Sequence, residues 1–170
     1  MVRDTLAINY YGTMSMTKRF IPQMRQHGRI VNVASMLGKL NKYSPKITAT
    51  FKSASESDAP ATTDYLMSQY QDAVERGSAE KDGWPTSAYA VSKAGVISAT
   101  MFFGKQLKRT TPERGLLINA CCPGYVKTDM TKQRGRKTVE QGATTPVRLA
   151  VGELHGVSGE FWEHEEVSSW

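Results

Sequence analysis

The sequence predicts an α/β fold built on parallel strands, and three observations lead there. Two short apolar runs, Arg29-Ile30-Val31-Asn32-Val33-Ala34-Ser35 and Gly115-Leu116-Leu117-Ile118-Asn119-Ala120-Cys121-Cys122, read as strands. They have the character of strands buried on both faces, the habit of parallel sheets. The overall order is helix, strand, long insertion, helix, strand, helix, strand. Parallel neighbours need such helical crossovers, so the order fits a doubly wound sheet.

Each element has its own signal. Over about residues 5–25, Leu6, Ile8, Tyr11, Met14, Met16, Phe20, Ile21 and Met24 recur at roughly helical spacing. Arg25, His27 and Gly28 then supply a stop. After the first strand the character changes. Residues 43–63, rich in Ser, Thr, Ala and Lys, read as loop. Residues 64–76 read as a surface helix with Tyr65, Leu66, Tyr70 and Val74 on one side, Asp64 as its cap and Gly77 as its end. Gly83-Trp84-Pro85 marks a turn, and Thr86 or Ser87 caps a helix running to about Lys108. Gly95 and Gly104 inside that helix point to close packing against a neighbour. Pro123-Gly124 breaks the second strand, a helix follows over residues 139–151, and Glu160-Phe161-Trp162 begins a third strand.

The chain has 170 residues, which fits one domain, and its 39% hydrophobic and 22% charged content is that of a folded rather than a disordered protein. No apolar run approaches the ~18 residues that span a bilayer. The start, Met1-Val2-Arg3-Asp4-Thr5, has no apolar signal core. Cys121 and Cys122 are adjacent, and a bond between neighbours would be strained. They read as reduced thiols of an intracellular, cytoplasmic protein. The net charge of +6 raises the question of nucleic acid. The densest basic run is Lys127, Lys132, Arg134, Arg136 and Lys137, with no interleaved aromatic residue, so no base-stacking platform is expected. That segment reads as a surface loop or as a lid facing an anion.

The chemistry begins at Tyr89-Ala90-Val91-Ser92-Lys93. Positions i and i+4 share one helix face, one turn apart. An ammonium beside a phenol favours the phenolate, and a phenol tuned that way exchanges a proton with a substrate oxygen near neutral pH. In doubly wound sheets, ligands bind beyond the carboxyl ends of the strands. Ser35 ends the first strand, Pro123-Gly124 ends the second, and Tyr89 and Lys93 open the helix between them. These groups are expected to meet at one rim. Each taken alone has an ordinary structural reading: a strand-end serine, a turn, a solvated tyrosine.

Four blocks in order make the pattern specific: Asn9-Tyr10-Tyr11-Gly12-Thr13, Gly28 to Ser35, Tyr89 to Lys93, and Asn119-Ala120-Cys121-Cys122-Pro123-Gly124-Tyr125-Val126-Lys127-Thr128-Asp129-Met130. Together they resemble the short-chain dehydrogenase/reductase family. The wide gap between Ser35 and Tyr89, the Gly-Trp-Pro before the tyrosine and the Ala-Cys-Cys-Pro-Gly block resemble its monomeric NADPH-dependent carbonyl reductase type. The family's Gly-rich turn, G-x-x-x-G-x-G, and its Asn-Asn-Ala-Gly block do not occur. By this resemblance, residues 1–170 form a single incomplete domain, the C-terminal portion of a Rossmann-like doubly wound parallel sheet, with an insertion at about residues 40–84. Such a portion is expected to fold poorly, to aggregate or to depend on a partner when alone.

The resemblance implies NADPH-dependent reduction of ketones, aldehydes or quinones. Tyr89 is then the proton donor, and Lys93 the ribose ligand and tuner of the phenol. Ser35 holds the carbonyl oxygen, and Asn9 positions a water for a proton relay through Lys93. Pro123, Gly124, Val126 and Thr128 line the nicotinamide side, and Leu37 and Tyr125 wall the substrate. The implied partner is a small carbonyl compound, with neither nucleic acid nor membrane. The insertion is expected to cover the face through which other members oligomerise, leaving a monomer. Cys122 is a buried strand-end residue or a reactive thiol. His27, His155 and His164 are scattered without metal-ligand spacing, and Asn32 and Asn119 read as loop-holding strand residues. Two other classes stay open: a non-catalytic binding or interaction fragment, and a basic nucleic-acid-binding domain.

Overall fold

The computed structural model describes residues 1–56 and 61–170. Its sheet has strands β1 (Arg29–Val33), β2 (Leu117–Cys122), β3 (Phe161–Glu163) and β4 (Glu166–Val167), in that spatial order. β1 and β2 are parallel, with Arg29 opposite Leu117 and Val33 opposite Cys121. β3 continues the parallel set, with Ala120 opposite Phe161, and β4 turns back antiparallel. The three expected strands are therefore present.

The helices are α1 (Val2–Leu6), α2 (Thr13–Phe20), α3 (Pro45–Glu56), α4 (Ala61–Glu75), α5 (Ala88–Thr110) and α6 (Val139–Val151). Ser87 starts α5, its hydroxyl accepting from the Ala90 amide at 3.2 Å. α5 packs on one face of the sheet and α6 on the other. Alternation along β2 sorts the side chains between them. Ile118, Ala120 and Cys122 join the core around α5, while Leu117 and Cys121 join Leu149, Leu154 and Trp162 on the α6 side. The adjacent cysteines thus point to opposite faces, and both are free. Two polar strand residues find partners. Asn32 donates to Thr100 Oγ1 at 2.9 Å, and Asn119 donates to the Val157 carbonyl and accepts from the Glu160 amide, both at 3.0 Å. Asn119 in this way fixes the loop that leads into β3.

The close approach expected at the α5 glycines is present. A methyl group on Gly104 would run into the backbone of Gly159, and one on Gly95 would meet Tyr10 and Met67.

Four local expectations are corrected. The stretch read as loop contains α3, whose Ile47, Phe51 and Ala54 form one buried stripe against α5; residues 57–60 of that stretch lie outside the described residues. Asp64 is not a cap, because α4 begins at Ala61. Instead it sits inside the helix and accepts from the Tyr10 hydroxyl at 2.6 Å and from Lys18 at 3.3 Å. Tyr65 faces solvent, and Leu66, Met67 and Tyr70 make the buried side. The opening helix, expected to about residue 25, stops slightly sooner. It ends in a 3-10 turn at Ile21–Gln23, which contains Pro22. Gly77 (φ 68°) does end the α4 region in a left-handed turn.

Within the insertion, Tyr43, Phe51, Tyr70 and Trp84 form an aromatic cluster, edge-on around Phe51 and tilted between Tyr70 and Trp84, that Trp170 closes. Trp170 also donates its indole N–H to the Gly38 carbonyl at 2.9 Å. The chain's end is thereby fastened beside the turn that follows Ser35.

Candidate active site

A cleft of about 680 Å³ opens at the carboxyl ends of β1 and β2, against the first turns of α5. Asn9, Ser35, Leu37, Tyr89 and Lys93 line one part of it. Pro123, Gly124, Tyr125, Val126 and Thr128, from the loop after β2, line another part. Every residue that the sequence singled out for the site stands on this one cleft.

Ser35 is buried, in an extended conformation at the strand end. Its Oγ accepts from the Leu37 amide at 3.2 Å, within the 3-10 turn Met36–Gly38. Accepting that bond leaves the hydroxyl proton free to donate into the cleft. A methyl group on Gly38 would strike the Lys93 backbone, so this turn lies directly on α5.

Tyr89 is 39% exposed at the mouth of the cleft. The Lys93 ammonium lies 5.7 Å from the centre of its ring and donates to the Val33 carbonyl at 2.8 Å. Burial pulls the Lys93 pKa below the ordinary lysine value, opposed by the nearby thiols of Cys122 and Cys121. One of the ammonium's three hydrogens is thus committed to the protein, and two stay available for a ligand.

Asn9 lies in a π-helical segment, Ala7–Gly12, that joins α1 to α2. A widened turn of this kind interrupts the i→i+4 ladder and recurs at functional sites. The Asn9 amide donates to Ser92 Oγ at 3.2 Å, and Ser92 donates to the Tyr89 carbonyl at 2.7 Å. The first helix is thereby tied to the turn that carries Tyr89.

The loop after β2 is shaped by Gly124, whose φ of +85° favours glycine. The basic segment that follows is not a free surface loop. The Arg136 and Lys137 amides both donate to the Tyr125 carbonyl, at 2.8 and 3.0 Å, and the Lys127 amide donates to the Lys137 carbonyl at 2.9 Å. Gly135 permits this fold-back, because a side chain there would collide with the backbone at Val126 and Lys127. Thr128 and Thr131 form a reciprocal cap around the turn Asp129–Thr131.

Sequence reasoning missed several walls of the cleft: Met36, Met130, Val139 and Gly142. Their only signal is apolar or small character within polar segments. Cys122 also lines the cleft; it is buried, and its sulfur accepts from the Gly124 amide at 3.3 Å. Cys121, sealed beneath, has its thiol pKa pushed up to about 12, chiefly by burial. Among the described residues no group of three or more His, Cys, Asp or Glu could hold a metal ion. No described helix is long and apolar enough to cross a membrane.

Residues 1–55 and 77–139 match the short chain dehydrogenase family, and the chain belongs to it. The unmatched stretch between them contains the whole of α4. Over 170 residues the chain is 35% identical to carbonyl reductase [NADPH] 1 of Rattus norvegicus, covering 98% of this chain and 61% of that protein. It is 38% identical over 149 residues to carbonyl reductase [NADPH] 3 of the same organism, covering 86% of this chain and 53% of the relative. Among solved structures, salutaridine reductase from Papaver somniferum superposes with a TM-score of 0.83 at 29% identity, covering 95% of this chain and 54% of that one. The chain therefore spans between half and two thirds of the length of these relatives.

Proposed function

We propose that this chain supplies the proton-donating and nicotinamide-facing part of an NADPH-dependent carbonyl reductase, acting on ketones, aldehydes or quinones. The observation that carries the reading is the convergence of Asn9, Ser35, Tyr89, Lys93 and the Pro123–Gly124 loop on one cleft. The relatives' names support the activity and the cofactor.

The residues fit the nicotinamide-ribose end of such a cofactor. Lys93 offers two N–H groups, and Val126 and Pro123 offer an apolar wall. When bound, NADPH supplies the hydride. Ser35 donates its free hydroxyl proton to the carbonyl oxygen and orients it. Tyr89 transfers its phenolic proton to that oxygen as charge develops there. Lys93 favours the phenolate that remains, and Asn9 positions a water through which the proton is restored. The α3–α4 insertion packs on α5 and supports a monomer.

The test is NADPH oxidation by the full-length protein with an aryl ketone or a quinone, run beside Tyr89→Phe on material sized by gel filtration. The variant is expected to lose at least ~100-fold in kcat while NADPH still quenches its tryptophan fluorescence. Turnover retained by Tyr89→Phe refutes the role of the phenol, and a stable tetramer refutes the monomer.

A further inference from the structure

A second cavity, of about 440 Å³, adjoins the cleft and shares Met36, Cys122, Gly124 and Tyr125 with it. Its remaining walls are Arg136, Lys137, Glu163 and His164. The two cavities are therefore contiguous: one carries the residues of the proposed reaction and the other carries charge.

The charge is net positive. Glu163 is the carboxylate among these walls, and it is already engaged. It forms an ion pair with Lys39 and accepts from Ser168 Oγ at 2.7 Å. Lys137 Nζ lies 3.3 Å from His164 Nδ1. A histidine ring carries no negative charge, so this contact does not cancel the lysine charge. Among the described residues neither Arg136 nor Lys137 has a carboxylate partner.

These groups are also built in. Both cations sit on backbone bonded to the Tyr125 carbonyl, and the Lys137 stem passes over Gly124. His164 and Glu165 form the two-residue turn between β3 and β4, with φ of 52° and 65°. Such a turn prefers Asn-Gly, and non-glycine residues hold it at some cost. Here the Glu165 amide is anchored by Thr145 Oγ1 at 3.1 Å, which sets His164 opposite Lys137.

We propose that this annex selects carbonyl substrates that carry a carboxylate, with Arg136 and Lys137 receiving the anion while the carbonyl lies between Ser35 and Tyr89. The proposal rests on the reductase reading and narrows its substrate class. Arg136 offers a planar fork that suits a carboxylate, and Lys137 adds a second charge beside it. The apolar walls that the two cavities share leave the body of the substrate unspecified.

The test uses a matched pair, 4-acetylbenzoate and its methyl ester, which present the same ketone with and without the charge. The ratio of kcat/KM, anion over ester, is measured for the full-length protein with NADPH. The parent is expected to favour the anion. The double variant Arg136→Ala/Lys137→Met is expected to lower the ratio about tenfold, through the KM of the anion. Arg136→Glu is expected to favour the ester, and added salt to compress the parent's ratio. A ratio that the double variant leaves unchanged overturns the proposal, and so does a rise in the KM for NADPH alone, which would assign these cations to the cofactor. If the parent reduces neither ketone, the reductase reading fails, and calorimetric titration with the same two compounds decides the annex. Binding of 4-acetylbenzoate but not the ester, lost in the double variant, supports it; equal or absent binding of the two overturns it.

Discussion

The Lys93 ammonium donates to the Val33 carbonyl at 2.8 Å, tying the first turns of α5 to the last residue of β1. The sheet therefore sets where this cation stands, and the helix alone does not. Replacing it with a neutral side chain should cost activity and change the pH dependence of stability. Lys93→Met is expected to lower kcat/KM at least ~100-fold in the ketone assay. Burial depresses the Lys93 pKa, so between that lowered value and 10.5 the unfolded chain binds more protons than the folded one. The parent thus gains stability as pH rises through that window, and the variant lacks this gain. The Tm difference, variant minus parent, should fall as pH approaches 10.5. A difference independent of pH would contradict the partial burial of this ammonium.

Gly104 and Gly95 offer a test of packing. The Cβ of Gly104→Ala would collide with the Gly159 backbone, whereas that of Gly95→Ala would meet side chains of Tyr10 and Met67. Backbone cannot step aside as a methionine can. Gly104→Ala is expected to destabilise by about 2–3 kcal/mol and Gly95→Ala by less, read from denaturant midpoints. The reverse order would show that α5 approaches the β3 loop less closely than described.

Glu163 provides a signature at acid pH. Partial burial pushes its carboxyl up, but the hydrogen bonds from Lys39 and Ser168 and the Lys39 charge outweigh this and hold it below 4.5. Its contribution to stability is present above 4.5 and is lost as pH falls through the folded value. Glu163→Gln should therefore melt below the parent at neutral pH, by about 1 kcal/mol, with the two curves converging in acid. Curves that stay parallel into acid would mean the pair does not stabilise the fold.

The core of the architecture was legible because its signals are local. The β-branched run ending at Ser35, the Pro123-Gly124 break and the Ser87 cap each specify one element, and their order specifies the sheet. The shared cleft of the candidate site was legible for the same reason, because Ser35, Pro123-Gly124 and Tyr89 stand at two strand ends and a helix start on one rim. The elements without a local signal depend on tertiary context. α3 shows only Ile47, Phe51 and Ala54 as a stripe among Ser, Thr and Lys, and becomes a helix because α5 lies opposite to receive them. The π turn at Asn9 has no signature in composition. The β3–β4 hairpin turns on His164-Glu165, residues that turn chemistry would not nominate. Asp64 looked like a cap because helix starts favour aspartate, yet its partner is Tyr10, far away in sequence.

β1 pairs with β2 alone among the described strands, and beside its other edge Ile8, Met16 and Phe20 stand exposed. A row of open amides and carbonyls next to greasy side chains is a seam to which any extended peptide adheres. Handled as this 170-residue chain, the protein should become turbid on concentration, and rates per mole are then meaningful only for the fraction that stays dispersed.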